Sequence, residues 1–222
     1  MQFAVWSPAL HTLSVACIAA GIFEDGRLAT EAAALDKATG GRIKGIIGRG
    51  DFSGKAGETL LLSEAGLKST RVLLVGLGLE RAYGRKGWRR ACTAALTAVG
   101  RTRIRSVALG LERPASRDLD DYYFGRCVAE ITGNVLYHIN DLKTGKKTPA
   151  PAIDRVLAGP VRATGVARAR LGLEHGRALA AATTLQRDLG NLPPNVCTPS
   201  YLAERARGLA HQHSSVKVKV LD

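Results

Sequence analysis

The chain has 222 residues, of which 45% are hydrophobic, 23% charged and 5% aromatic. That balance belongs to a globular protein with a core built mostly from Ala, Leu, Val and Ile, and it excludes a disordered or low-complexity chain. Lys and Arg number 32 against 19 Asp and Glu, a formal net charge of +13. Such an excess suits a polyanionic partner, is offset by an acidic remainder of a longer chain, or is a plain solvated face.

Residues 10–23 are apolar, but the first basic side chain is Arg27, so the positive start of a signal peptide is missing. The run is also too short to span a bilayer. Residues 13–20 (LSVACIAA) read instead as a strand covered on both faces, in a cytoplasmic protein with no membrane partner. Asp25-Gly26 signals a turn. Residues 30–37 read as a helix with Thr30 as its cap, ended by Gly40-Gly41, and 42–47 as a short second helix.

The glycine-rich loop GRGDFSGKAGE comes next. It misses the phosphate-loop pattern twice: Arg49 stands where the first glycine is needed before Gly54-Lys55, and Ala56 replaces the hydroxyl residue. Residues 59–63 and 71–76 are two more strands. Gly76-Leu77-Gly78 begins like a dinucleotide fingerprint, but Arg81 occupies the third glycine position.

Residues 83–102 carry the clearest helical pattern of the first half, with Trp88, Cys92, Ala95, Leu96 and Val99 on one face. Eight basic residues and no acidic one lie between positions 81 and 105. Like charges at i, i+4 cost a helix a little stability. Arg85, Lys86, Arg89 and Arg90 are therefore candidate contacts to duplex DNA; pairing with acidic residues elsewhere in the fold is the other reading.

Residues 106–111 form a strand, 113–116 a loop, and 118–137 a helix capped by Asp118 or Asp120, with Phe124, Val128, Ile131 and Val135 as its buried stripe. Residues 143–151 are a basic, proline-bearing loop, and 153–161 a strand. The order β, α, β, β, α, β, α, β gives an α/β fold: a mixed sheet flanked by helices on both faces.

Residues 164–189 read as one long helix, with Leu171, His175, Ala178, Ala182, Leu185 and Leu189 as its buried stripe and His175 a packed residue. Some 25 residues span on the order of 37 Å, enough to bridge two domains. The helix stops within RDLGNLPPNVCTPSYLAERA, residues 187–206, because Pro193 and Pro194 lack amide donors and Pro193 pushes Leu192 out of the helical region. A new helix over 200–211 starts at once, with Thr198 as cap and Pro199 at its first position. A stop followed by a capped restart is a hinge. VKVKV, residues 216–220, alternates like a strand. The expected division is an α/β domain over 1–162, an interdomain helix and hinge over 163–195, and over 196–222 the beginning of a second domain, too short to bury a core.

Cys17, Cys92, Cys127 and Cys197 form no CxxC pair and read as buried free thiols in a reducing compartment. The five histidines show no HExxH motif and no zinc-ligand spacing.

The hinge closely resembles the interdomain segment of the leucyl (cytosol) aminopeptidases, of the form R-D-L-x-N-x-P-P-N-x-x-T-P-x-x-L-A. Arg187, Asp188, Leu189, Asn191, Pro193, Pro194, Asn195, Thr198, Pro199, Leu202 and Ala203 meet every fixed position. Upstream, GIFEDGRL, ATGGRIKGIIGRGDFSGKAGETLLL and RVLLVGLG look like the amino-terminal domain of the bacterial members. The resemblance implies a macro-domain-like amino-terminal unit, a linker helix and a carboxy-terminal peptidase domain. In the family that last domain removes N-terminal amino acids from peptides with two divalent metal ions, manganese or zinc, and the enzymes are homo-hexamers.

The family's metal-binding signatures, V-G-K-G-x-x-F-D-[ST]-G-G and N-T-D-A-E-G-R, do not occur in these residues. The resemblance therefore implies the amino-terminal portion of the enzyme, with no catalytic and no metal residue in this chain and no activity alone. It gives Asp188 and Asn195 a structural role, as capping and turn bonds at the hinge. Bacterial relatives that act in plasmid recombination and transcriptional control imply duplex DNA as an alternative partner. A third expectation is a unit for assembly and for restricting access to the peptidase site, through the apolar faces of the last two helices.

Overall fold

The computed structural model describes residues 1–7, 9–63, 67–139 and 149–221. Its sheet is centred on β2, Cys17–Phe23, whose seven residues are all buried. β4 (Arg71–Gly78) and β5 (Ser106–Gly110) pair with β2 on either side, both parallel to it. β6 (Arg155–Ala158) and β1 (Gln2–Val5) extend the parallel part beyond β5. β3 (Thr59–Ser63) runs antiparallel to β4 and forms the other edge, giving the order β1-β6-β5-β2-β4-β3.

β2 is apolar throughout because both of its faces are covered. Ile18, Ala20 and Ile22 point to one side, where α1 (Thr30–Ala38) and α2 (Arg42–Gly48) bring Ala32, Leu35, Ile43 and Ile46. Cys17, Ala19 and Phe23 point to the other, against α3 (Arg85–Gly100), α4 (Asp121–Leu136) and the first half of α5 (Val166–Asn191). Trp88, Cys92, Ala95, Leu96 and Val99 make the buried face of α3, and Phe124, Val128 and Ile131 that of α4, as their spacing predicts. Each large side chain so buried contributes about 1.5–3 kcal/mol. α6 (Pro199–Gln212) buries no residue.

Several expectations are corrected. The strand expected over 13–20 begins at Cys17, because the Thr12 hydroxyl and amide donate to the Ala9 carbonyl and close a 3-10 turn at Leu10–Thr12. β1 was not foreseen. Ala29, not Thr30, is the residue before α1; Thr30 is the first helical residue and donates its amide and hydroxyl to Glu112 Oε2 at 2.8 and 3.2 Å. Asp120, not Asp118, caps α4: its Oδ1 accepts the Tyr123 amide at 2.7 Å.

The stripe expected on the long helix is also wrong. Leu171, His175, Ala178 and Ala182 are exposed, and the buried residues of α5 are Ala169, Gly172, Leu173 and Gly176. Residues 216–220 form no strand and are exposed; an alternating pattern needs a ladder partner, and none of the described residues supplies one. The loop expected over 143–151 lies outside the described residues up to position 148, as does Asp222.

Candidate functional site

The segment over 187–206, expected to be a hinge, follows α5, which packs on α4; the two helices run in the same direction with their backbones in close approach. A Cβ on Gly172 would overlap the Tyr122 carbonyl oxygen, and one on Gly125 the Ala169 carbonyl oxygen. Glycine is needed at both crossings because nothing larger fits, and each costs its helix a few tenths to 1 kcal/mol relative to alanine. Polar ties run along the same seam. Arg168 Nη2 donates to Asp120 Oδ2 at 2.8 Å, and the Tyr122 hydroxyl and His175 Nδ1 lie 3.0 Å apart. His175 is thus a surface partner of Tyr122, not a packed core residue.

The seam ends at the hinge motif. The Tyr137 hydroxyl, just past the end of α4, donates to Asp188 Oδ1 at 3.0 Å and accepts from Asn191 Nδ2 at 3.2 Å. The Arg187 guanidinium lies 5.2 Å from the centre of the Tyr137 ring. Two residues of the motif, Asp188 and Asn191, are therefore tied to α4 through Tyr137, a receptor that sequence reasoning missed. An open cleft of about 510 Å³ lies beside this anchor, walled by Phe3, Leu136, Tyr137, Ala180, Thr184 and Asp188.

Beyond the anchor the chain turns. The Pro193 carbonyl accepts the amides of Val196 and Cys197, and Pro194 and Asn195 sit exposed on the turn. The Asn195 side chain makes no hydrogen bond to a described residue. The Thr198 hydroxyl accepts the Tyr201 amide at 3.3 Å and Pro199 is the first residue of α6, the restart the motif predicts.

Of the four basic candidates on α3, Arg85, Lys86 and Arg90 are exposed and Arg89 is half-buried. The Arg85 guanidinium sits 5.2 Å from the Tyr123 ring centre, and Arg89 Nη1 lies 2.8 Å from Cys127 Sγ, so both turn toward α4. Arg90 lies against Gly57 in the glycine-rich loop, on the other side of the helix. Lys86 is exposed.

The glycine-rich loop already holds an anion of its own. Glu58 accepts the Ser53 hydroxyl at 2.6 Å and the amides of Ser53 and Lys55 at 3.2 Å through Oε2. Desolvation opposes ionisation of Glu58, but the Ser53 hydroxyl and the amides of Ser53, Lys55 and Gly54 together hold it below the usual glutamate range. The amides that would receive a phosphate thus point at a carboxylate.

Cys17, Cys92 and Cys127 are buried free thiols, while Cys197 is only half-buried. Burial pushes the Cys17 thiol up to about 12 and Cys92 higher still, the opposite of what a nucleophile or metal ligand needs. Among the described residues no three His, Cys, Asp or Glu side chains come together in a way that could hold a metal ion. No helix among them is long and apolar enough to cross a membrane.

A family model described as the cytosol aminopeptidase family, N-terminal domain, matches residues 19–146. The probable cytosol aminopeptidase of Pseudomonas aeruginosa (strain LESB58) is 38% identical over 224 residues, covering 100% of this chain and 45% of that protein. The corresponding protein of Actinobacillus pleuropneumoniae serotype 5b (strain L20) is 34% identical over 223 residues, with the same coverage, 100% and 45%. The chain thus spans about 45% of the length of these curated relatives.

Among solved structures, a tomato leucine aminopeptidase mutant superposes with a TM-score of 0.78 at 21% identity, over 100% of this chain and 44% of that one, a likeness of fold. The bottromycin maturation enzyme BotP, solved also in complex with Mn, gives a TM-score of 0.60 at 25% identity, over 89% of this chain and 37% of that one.

Proposed function

We propose a function on one premise: the chain belongs to the cytosol aminopeptidase family, as its amino-terminal domain. Our reading is that it is the amino-terminal portion of a metal-dependent leucyl aminopeptidase of the cytoplasm, which removes N-terminal amino acids from peptides. The observation that carries this is the match to cytosol aminopeptidases along the full chain, at 45% of their length.

Among the described residues no set of side chains fits the two divalent ions, manganese or zinc, that such chemistry requires. The described side chains gather no metal-binding group, so no catalytic step is assigned to this chain. Its own work is mechanical. The α/β unit (residues 1–162) holds the linker helix and hinge (163–195) through the α4–α5 seam and the Tyr137 anchor. This fixes the direction in which residues 196–222 lead into a peptidase domain. The exposed faces of α5 and α6, with Leu171, Leu179 and Leu202, are available to that domain and to other copies in a homo-hexamer. Arg85 and Arg89 contact Tyr123 and Cys127 of α4, and duplex DNA is not part of the proposed function.

The test is a comparison of two proteins on leucine p-nitroanilide with manganese or zinc. The 222-residue chain alone is expected to show no turnover. The same chain continued into the peptidase portion of the Pseudomonas aeruginosa relative is expected to show metal-dependent turnover. Metal-dependent turnover by the chain alone overturns the reading.

A further inference from the structure

A second cleft, of about 430 Å³, lies at the carboxyl ends of the parallel strands. Its position follows from the topology. The chain leaves β2 for α1 on one face of the sheet and leaves β5, the neighbouring strand, for α4 on the opposite face. Connections that part in this way leave a crevice at the strand ends, the place where open α/β sheets receive ligands. Thr30 and Glu31 at the start of α1, Glu112 and Arg113 after β5, and Arg162 after β6 reach it, over an apolar floor that includes Leu111, Phe124 and Val161.

The charges in this cleft are unequally satisfied. Arg113 is engaged: Nη1 donates to Asp121 Oδ1 at 2.6 Å, and its guanidinium lies 5.1 Å from the Phe124 ring centre. Glu112 is held in place by Thr30 but has no ion-pair partner among the described residues. Glu31 has none either, and the Arg162 guanidinium makes no hydrogen bond or ion pair with a described residue. The cleft therefore presents two carboxylates without an ion-pair partner at its α1 wall, Glu112 held by Thr30 and Glu31 near the Leu10 amide and His11, and one unpaired guanidinium at its β6 wall, with apolar surface between them.

This layout rejects an anion. The positive end of α1 already faces the Glu112 carboxylate and carries Glu31 in its first turn, so a phosphate there meets repulsion. It also rejects a purely apolar ligand, which would leave the charges desolvated and unpaired. A molecule with an ammonium, a carboxylate and an apolar body satisfies all three parts.

We propose that this cleft binds a small zwitterion of the free α-amino acid class, its ammonium between Glu31 and Glu112, its carboxylate on Arg162 and its side chain over Leu111, Phe124 and Val161. The cleft shares no lining residue with the one beside the Tyr137–Asp188 contact.

The experiment titrates the 222-residue chain with L-leucine and follows backbone amide resonances. Leucinamide, which lacks the carboxylate, 4-methylpentanoate, which lacks the ammonium, and inorganic phosphate serve as separate arms. The expected result is a saturable shift at Thr30, Glu31, Glu112 and Arg162 with L-leucine, and binding at least about tenfold weaker for each other probe. Glu31→Gln and Arg162→Ala are each expected to weaken L-leucine at least about tenfold while resonances remote from the cleft stay in place. Absence of a saturable shift with L-leucine up to about 10 mM overturns the proposal. So does phosphate binding tighter than L-leucine, or L-leucine binding unchanged in both variants. The readout is binding and not turnover, so its failure leaves the aminopeptidase reading untouched.

Discussion

Tyr137 donates its hydroxyl to Asp188 Oδ1 at 3.0 Å, and this bond joins the end of α4 to the last turns of α5 across fifty-one positions of chain. Removing the hydroxyl also removes the acceptor of Asn191 Nδ2. Because the site is partly exposed, each bond is worth about 1 kcal/mol or less. Tyr137→Phe is expected to leave the global melting temperature nearly unchanged. Amide hydrogen exchange at the carboxyl end of α5 should rise about fivefold to tenfold. Unchanged exchange there would show that the hinge motif is held by something other than this tyrosine.

Glycine-to-alanine changes on α5 should have opposite signs at two positions. At Gly190 a Cβ meets nothing within 4 Å, so Gly190→Ala should stabilise the chain by about 0.5–1 kcal/mol through helix propensity. At Gly172 the same change puts a methyl into the Tyr122 carbonyl, and α4 and α5 must move apart. Gly172→Ala is expected to destabilise by about 1–3 kcal/mol. Urea unfolding of the two variants checks both signs, and a stabilised Gly172→Ala would rule out the close crossing.

These two helices show where the sequence was legible and where it was not. Trp88, Cys92 and Leu96, or Phe124, Val128 and Ile131, announce a buried face because large apolar side chains recur at helical spacing. The buried face of α5 is Ala169, Gly172, Leu173 and Gly176. Small residues carry almost no hydrophobic signal, so the larger Leu171 and the polar His175 drew the expectation to the wrong side. The restart at Thr198-Pro199 was readable because a cap is a local device. The Tyr137–Asp188 anchor and the cleft of Glu31, Glu112 and Arg162 were not, since each joins residues that only the topology brings together. β1, four residues at a sheet edge, is too short to show a period.

Glu58 offers a test of the glycine-rich loop. Its carboxyl is held below the usual range against a desolvation effect of opposite sign, by the Ser53 hydroxyl and by loop amides. A depressed folded-state value means the stabilisation is complete above the ordinary glutamate range and is lost as pH falls through the folded value. Glu58→Gln should therefore cost below about 1 kcal/mol at neutral pH, discounted for solvent exposure, and nothing once both states are protonated. Denaturant midpoints of the two proteins across acidic pH measure the difference. A cost that persists in acid would mean that shape, and not charge, holds the loop.

Glu31 should behave in the reverse sense. Desolvation pushes its carboxyl above the usual glutamate range. The Leu10 amide and His11 pull the other way, and the neighbouring Glu112 adds to the rise. With a raised folded-state value, the favourable balance is complete below the ordinary range and is lost as pH climbs through the folded value, because the folded protein then carries an ionised group it disfavours. Glu31→Gln keeps an acceptor for the Leu10 amide and removes the charge. It is expected to match the parent in acid and to exceed it in stability at neutral pH, with the gap opening just above the ordinary glutamate range. Thermal melts at a series of pH values check the crossover. If Glu31→Gln is the less stable protein at neutral pH, then the attraction of groups within the fold outweighs desolvation at Glu31, and the carboxylate pair at the cleft wall does not await a cation.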